Sequence, residues 1–421
     1  MTITVPEAVR QETTRLEDLT TTGTLRIGCT VEGDWAGLHD ASAPASPPVP
    51  GVQIDGHFRS ESCLNTHHGW DADAQFVIRL PDRWNGKLVV TAAPGIRRQY
   101  ATDRIISDWM LERGYAYAAT DKGNSGTRFH TVGREPGDAL ADWDRRAHEL
   151  TLAARETVHT HYGTEPERVY ITGISNGGYV TRRQIEQHPE VYDAGVDWEG
   201  PLWRGDGPNL FTYLPALLAH YPEYRDTGSE TARKALLAAG LPTESEFLWD
   251  IHYRHYWDLT QRTYRAVFDP DYATTPGNAA GVPFAPPGAI GSDADYAYAS
   301  RPRAVRDAVA RIALTGRIGK PLLSLHGTLD CLLPIELHSD AYARLIHLAG
   351  RGHLHRQYRI DGGNHVDGFR DVFPDKIRPL LPAYRATWLA MENWVERGIA
   401  PPTSRTVAWD PERDEYANFP W

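Results

Sequence analysis

The stretch "RVYITGISNGGYVTRRQIEQH", residues 168–188, decides the fold. It opens on a run of β-branched and aromatic side chains, Val169 to Thr172, which favours a strand. It closes on residues 176–188, whose spacing reads as a helix. Between the two stands Ser175, with Gly173 and Gly177 on either side. A strand that turns directly into a helix leaves little room for side chains beside the turn, and glycine tolerates this. A Gly-x-Ser-x-Gly match alone would be weak, because glycine-rich turns hold serines for no chemical reason. The flanking strand and helix add the missing context. They put Ser175 at the amino end of a helix, where aligned peptide dipoles favour negative charge on oxygen.

The same alternation continues on both sides. Residues 87–95, 115–121, 194–200, 321–330 and 354–361 are short apolar runs that end in Gly or Asp and read as strands. Helical periods fill 101–114, 140–163, 335–350 and 379–398. In the second of these, Leu140, Trp143, Ala147, Leu150, Ala154 and Val158 share one stripe. Strands alternating with helices predict an α/β fold, with a mainly parallel sheet covered on both faces.

Two regions break the rhythm. Residues 24–80, with "ASAPASPPVPG" inside them, read as antiparallel edge strands and a surface loop ahead of the parallel core. Residues 201–311 lie between two strands and are crowded with aromatics, among them Trp203, Phe211, Tyr264 and Phe268. An insertion leaving the carboxyl end of a strand overlies the place where open α/β sheets bind ligands. The expected organisation is a core in two parts, 1–200 and 312–421, with 201–311 as a cap. The aromatics have a plainer reading as the small core of that insertion.

Composition narrows the function. The 421 residues are 41% hydrophobic and 24% charged, ordinary for a globular protein. Lys plus Arg number 44 against 55 for Asp plus Glu, and the net charge of -11 repels a phosphate backbone. Nucleic acid is therefore not an expected partner. No run approaches the roughly 18 apolar residues of a membrane span. The start lacks the basic and then apolar order of a secretory signal, so the expected location is the cytoplasm. Homo-oligomerisation is left open, and the aromatic tail (Trp409, Tyr416, Phe419, Trp421) is expected to dock on its own subunit or a neighbour. Cys29, Cys63 and Cys331 are too few and too scattered for a disulfide scaffold or a zinc pattern. A Cys29–Cys63 pair and buried free thiols are the two readings. The histidine pairs 252/255 and 353/355 lack a third ligand at recognisable spacing. Neither a metal nor a cofactor is expected.

A serine hydroxyl becomes a nucleophile only when a base takes its proton, and that base needs a carboxylate to orient it. On this topology the order should be serine, acid, histidine, each after a strand. "SLHGTLDCLLP" offers Asp330 and "IDGGNHVDGF" offers His365. Asp197 and Glu199, which follow the strand after the serine, are the competing acids. His326 and His353 are the competing bases, and both lie within or before strands. Two backbone amides should meet the oxyanion: that of Asn176, and one in the loop after an earlier strand, for which Ile96 is the candidate. Gly95, Arg97 and Trp203 are candidate substrate contacts. Arg97 and Arg98 could meet a carboxylate or phenolate, or could be solvated loop charges. Asp121 reads as a residue that ties down its loop.

Together "GISNGG", "HGTLDCLLP" and "GGNH" resemble the α/β-hydrolase superfamily over nearly the whole chain. Within it, "RLPDRWNGKLVVTAAPG" and "GYAYAATDKGNSG" are similar to the tannase and feruloyl esterase group and to bacterial 3-hydroxybutyrate oligomer hydrolases. The resemblance implies a serine carboxylester hydrolase with Ser175, Asp330 and His365 as its triad and a small-molecule ester as substrate. Tannase-type enzymes join cysteines placed directly before the serine and the histidine. Here those positions are Ile174 and Asn364, so gallate or ferulate specificity does not carry over. The expected substrate is an aromatic or apolar ester. Lactonase, peptidase, carbon-carbon hydrolase and lyase chemistry are the alternatives on the same scaffold, and ligand capture without turnover is a third.

Overall fold

In the computed structural model, which describes residues 3–126, 129–272, 293–410 and 415–416, the sequence-read strands join two that the sequence reading lacked in one ten-stranded sheet. Its strands are β1 (Arg10–Leu16), β2 (Gly51–His57), β3 (Gln75–Pro81), β4 (Lys87–Ala92), β5 (Ala116–Thr120), β6 (Arg168–Ile174), β7 (Ala194–Trp198), β8 (Leu322–Gly327), β9 (His355–Ile360) and β10 (Arg405–Val407). The spatial order is β1-β2-β3-β5-β4-β6-β7-β8-β9-β10. β1, β2, β3 and β5 pair antiparallel, and everything from β5 to β10 is parallel. The fold is that of an α/β-hydrolase.

The pleat sends alternate residues into two cores. On β4, Leu88 and Val90 face one core and Val89 faces the other. The first core is closed by the helices Asp138–Tyr162 and Asn176–Gln187, through Trp143, Leu150 and Tyr179. The second is closed by residues 103–112 and the helix Leu380–Arg397, through Ile105, Met110, Tyr384 and Trp388.

The antiparallel region departs from its sequence reading. Residues 24–80 contain β2 and β3, but β3 is fully buried between β2 and β5 and is not an edge strand. The edges are β1, which lies upstream of the expected region, and the three-residue β10. β1 ("RQETTRL") buries only its last residue, so it shows no apolar alternation. A charged, solvent-facing strand of this kind blunts an edge against further pairing.

Between β7 and β8 the described residues are helical, and their aromatics mostly pack on one another. Trp203 and Phe211 meet Phe268 in tilted and edge-on contacts, as Tyr221 does Tyr253 and Trp257. This packing is continuous with the first core of the sheet. The segment also grips the loop after β8: Trp257 Nε1 donates to Cys331 O at 2.9 Å, and the Tyr213 hydroxyl donates to Leu332 O at 2.7 Å.

Elsewhere, the three cysteines are free, with Cys63 exposed and Cys331 buried. In the tail, the Tyr416 hydroxyl donates to Pro379 O at 2.8 Å, so this part docks on its own chain. Phe419 and Trp421 lie outside the described residues.

One glycine contact sets the turn that carries Ser175. A Cβ placed on Gly177 would stand 2.3 Å from Ala92 O at the end of β4. Backbone cannot yield as a side chain does, so Gly177→Ala should cost ~1–3 kcal/mol of stability. A lowered thermal midpoint should report it, with the serine displaced in parallel.

Candidate active site

Ser175 has φ 56° and ψ -122°, a left-handed conformation that a residue with a side chain seldom adopts. Strain of this kind costs about 1–3 kcal/mol and persists where the surroundings over-determine it. Here the Ser175 N–H donates to Trp198 O at 2.9 Å, and Ser175 O accepts from Tyr179 N at 2.9 Å. The hydroxyl is thereby lifted off the end of β6 into a cavity of about 300 Å³.

His365 comes to this hydroxyl from the loop after β9. Its Nε2 lies 3.1 Å from Ser175 Oγ, and its Nδ1 lies 2.7 Å from Asp330 Oδ2. The three side chains form one hydrogen-bonded row. Asp330 is fully buried, and its other oxygen accepts from the backbone N–H groups of Leu332 and Leu333, both at 2.8 Å. Burial works against its charge, yet the imidazoles of His365 and His326 outweigh this and hold the carboxyl well below the usual range. An ionised Asp330 then accepts the Nδ1 proton of His365, which leaves Nε2 free to take one from the serine.

His326, read as a competing base, stands behind the acid. Its Nε2 is 3.1 Å from Asp330 Oδ2 and 2.8 Å from Leu333 O, and both are acceptors, so Nε2 carries the proton. Its Nδ1 then accepts from Ser339 Oγ at 2.7 Å. Ser339 Oγ in turn accepts from Arg182 Nη2, whose Nε binds Asp197 at 2.6 Å. Asp197 is therefore spent on Arg182. His353 is exposed and does not line the cavity. Glu199 is different: its Oε2 lies 3.4 Å from the same Nδ1 that Asp330 binds.

Asn176 begins the helix after the serine, so its backbone N–H has no partner one turn earlier. Its side chain donates to Gly95 O at 3.1 Å and to the Tyr264 hydroxyl at 2.5 Å. This clamp joins the helix end to the loop after β4 and to the inserted segment. Gly95, Ile96 and Arg97 all line the cavity. Gly95 has φ +50°, with open space where a Cβ would stand.

Two sequence-read contacts have other employment. The Arg97 guanidinium, at the cavity wall, donates to three backbone carbonyls, reaching Ala36 O at 2.6 Å and Asp34 O at 3.1 Å, and so pins the 33–36 segment. Trp203 does not line the cavity. It is fully buried, with its ring against Phe211, Tyr264 and Phe268. Arg98 is half-exposed, with Nη1 3.1 Å from His67 Nδ1. Asp121 accepts from Asn65 Nδ2, Gln75 N and Gly123 N and ties down its loop.

Much of the apolar wall comes from residues that sequence reading did not assign to it: Tyr256 and Tyr264, read only as aromatics of the insertion, with Leu259 beside them, Leu332 beside the acid, and Phe369 after the histidine. The aromatic crowding of 201–311 was the available signal, but it could not separate wall from core. Ile174 lines the cavity and Asn364 is buried, so both positions that hold cysteines in tannase-type enzymes are occupied by other side chains.

Comparison with known proteins bears out the resemblance read from the sequence. A family model described as "Tannase and feruloyl esterase" matches residues 62–197, which include Ser175 but neither Asp330 nor His365. A probable feruloyl esterase of Arthroderma benhamiae is 26% identical over 164 residues, 37% of this chain and 30% of its own. The mono(2-hydroxyethyl) terephthalate hydrolase of Piscinibacter sakaiensis is 24% identical over 175 residues, 38% of this chain and 28% of its own. The matches thus span less than a third of these relatives' length. Among solved structures, feruloyl esterase B from Aspergillus oryzae superposes with a TM-score of 0.55 at 15% identity, covering 95% of this chain and 89% of that one. Tannin acyl hydrolase from Aspergillus niger gives 0.56 at 14% identity, covering 97% and 86%. At such identities the likeness is one of fold.

Proposed function

We propose that the chain is a carboxylic ester hydrolase that works through an acyl-enzyme on Ser175. The observation that carries this reading is the row Ser175–His365–Asp330, with the serine at a strained turn on the cavity floor. Ser175 Oγ attacks the ester carbonyl while His365 Nε2 accepts its proton. The carbonyl oxygen gathers negative charge next to the amides of Asn176 and Ile96. His365 returns the proton to the leaving alcohol, then takes one from water as that water attacks the acyl-enzyme, and gives it to Ser175 Oγ as the acyl bond breaks and the acid leaves. Serine is regenerated and no cofactor enters the balance.

The walls favour an apolar or aromatic ester. Leu259, Leu332, Val366 and Phe369 supply apolar surface, while Tyr256 and Tyr264 add large rings with polar tips. On this reading residues 201–311 act as a cap that shapes the acyl or alcohol site. With the cysteine pair missing, gallate or ferulate specificity is not carried over from the tannase-type enzymes.

A fluorophosphonate probe followed by a panel of p-nitrophenyl esters, lactones and amides tests the proposal. The expected result is a phosphonyl adduct mapped to Ser175 together with turnover of short p-nitrophenyl esters. Labelling without ester turnover would move the chemistry to another acyl bond, and no labelling would remove the nucleophile.

A further inference from the structure

Glu199 has no part in the mechanism above, yet it occupies a place that a bystander would not. It follows β7, is fully buried, and has φ +55°, the second non-glycine residue of the site held in the left-handed region. Its Oε1 accepts from Gly327 N at 2.8 Å, while its Oε2 is buried with no hydrogen-bond partner, 3.4 Å from His365 Nδ1.

We propose that Glu199 is a second acid of the site, a positioning residue whose carboxyl stands ready on His365 Nδ1 whenever Asp330 does not carry the charge. The inference rests on reading Ser175 and His365 as nucleophile and base. Two carboxylates packed around one imidazole in a dry site do not both ionise, because each charge disfavours the other. Hydrogen bonding decides which of them holds the charge. Asp330 accepts from the N–H groups of Leu332 and Leu333 and from both His326 and His365. Glu199 has the single N–H of Gly327. The charge therefore sits on Asp330, and burial together with that charge pushes the Glu199 carboxyl well above its usual range. Removing the Asp330 charge removes the largest of the charges that raise it, ahead of those of Asp367 and Asp197. Glu199 can then ionise and accept the Nδ1 proton itself.

The test uses the rate at which a fluorophosphonate labels Ser175, which needs an activated serine but no particular ester. Asp330→Ala is compared with Asp330→Ala/Glu199→Gln across pH. Glutamine keeps the shape of Glu199 and its acceptor for Gly327 N, so the two variants differ only once Glu199 ionises. The sign follows from the raised pKa: below it Glu199 is neutral and equivalent to glutamine, and above it Glu199 is charged. The expected ratio of rates is near one at the acid end of the pH range and rises to at least about tenfold at the alkaline end. A purely structural role for Glu199 gives a ratio that does not rise with pH, and that result overturns the proposal. If Asp330→Ala does not fold by thermal unfolding, Asp330→Ser carries the same comparison. Wild-type protein that takes no label would defeat the catalytic reading and this one with it. Wild-type labelling with a flat ratio defeats this one alone.

Discussion

Ser175→Ala should reduce ester hydrolysis by about 10⁶-fold in kcat, to the level that binding and oxyanion contacts sustain without a nucleophile. The fall should be in kcat rather than KM, because the hydroxyl is small and makes no contact that holds the ground state. The fold should survive. Ser175 is held at φ 56° by its backbone bonds to Trp198 and Tyr179, and an alanine there keeps both. It loses only the link to His365 Nε2 at 3.1 Å. Thermal unfolding within about 2 °C of the wild type, with p-nitrophenyl ester turnover gone, is the result to look for. Turnover that persists would place the chemistry on another residue.

Asp330→Asn should be nearly as damaging, a loss of about 10⁴-fold, and worse than Asp330→Ala. The reason is directional. The N–H groups of Leu332 and Leu333, both 2.8 Å from Oδ1, would hold the carbonyl of an asparagine. Its amide would then stand where Oδ2 stands, 2.7 Å from His365 Nδ1, and present a donor to a nitrogen that must itself donate. The imidazole would move its proton to Nε2, the atom that has to accept one from Ser175. Alanine imposes no such tautomer and leaves Glu199 beside the ring. Rates of kcat/KM in the order wild type, Asp330→Ala, Asp330→Asn check the argument, and the reverse order of the two variants would refute it.

How legible the site was in the sequence varied with the kind of residue. The serine announced itself locally, because a strand, two glycines and a helix appear within one short stretch. Asp330 and His365 were legible through chain order and their positions after strands, although 155 residues separate Ser175 from the acid. The competing partners could not be ranked that way. Asp197 and Glu199 sit two residues apart on the same strand end, yet one is spent on Arg182 and the other stands beside the His365 imidazole. His326 looked like a misdirected base and proves to be a donor to the acid. Trp203 looked like a wall and is core, while Tyr256 and Phe369 are wall and gave no separate sign.

The reason is one of range. Strand and helix periodicity, turn glycines and the order of elements are local properties, so sequence alone determined an α/β sheet, the turn that carries Ser175 and the three residues of the row. Which edge strand closes the sheet, which buried donor meets which acceptor, and which aromatics face the cavity depend on groups brought together from distant parts of the chain. The 3.4 Å between Glu199 and His365 is such a case, because it exists only once β7 and the loop after β9 lie side by side. Local pattern specifies the elements, and close packing among them decides which of their polar groups meet.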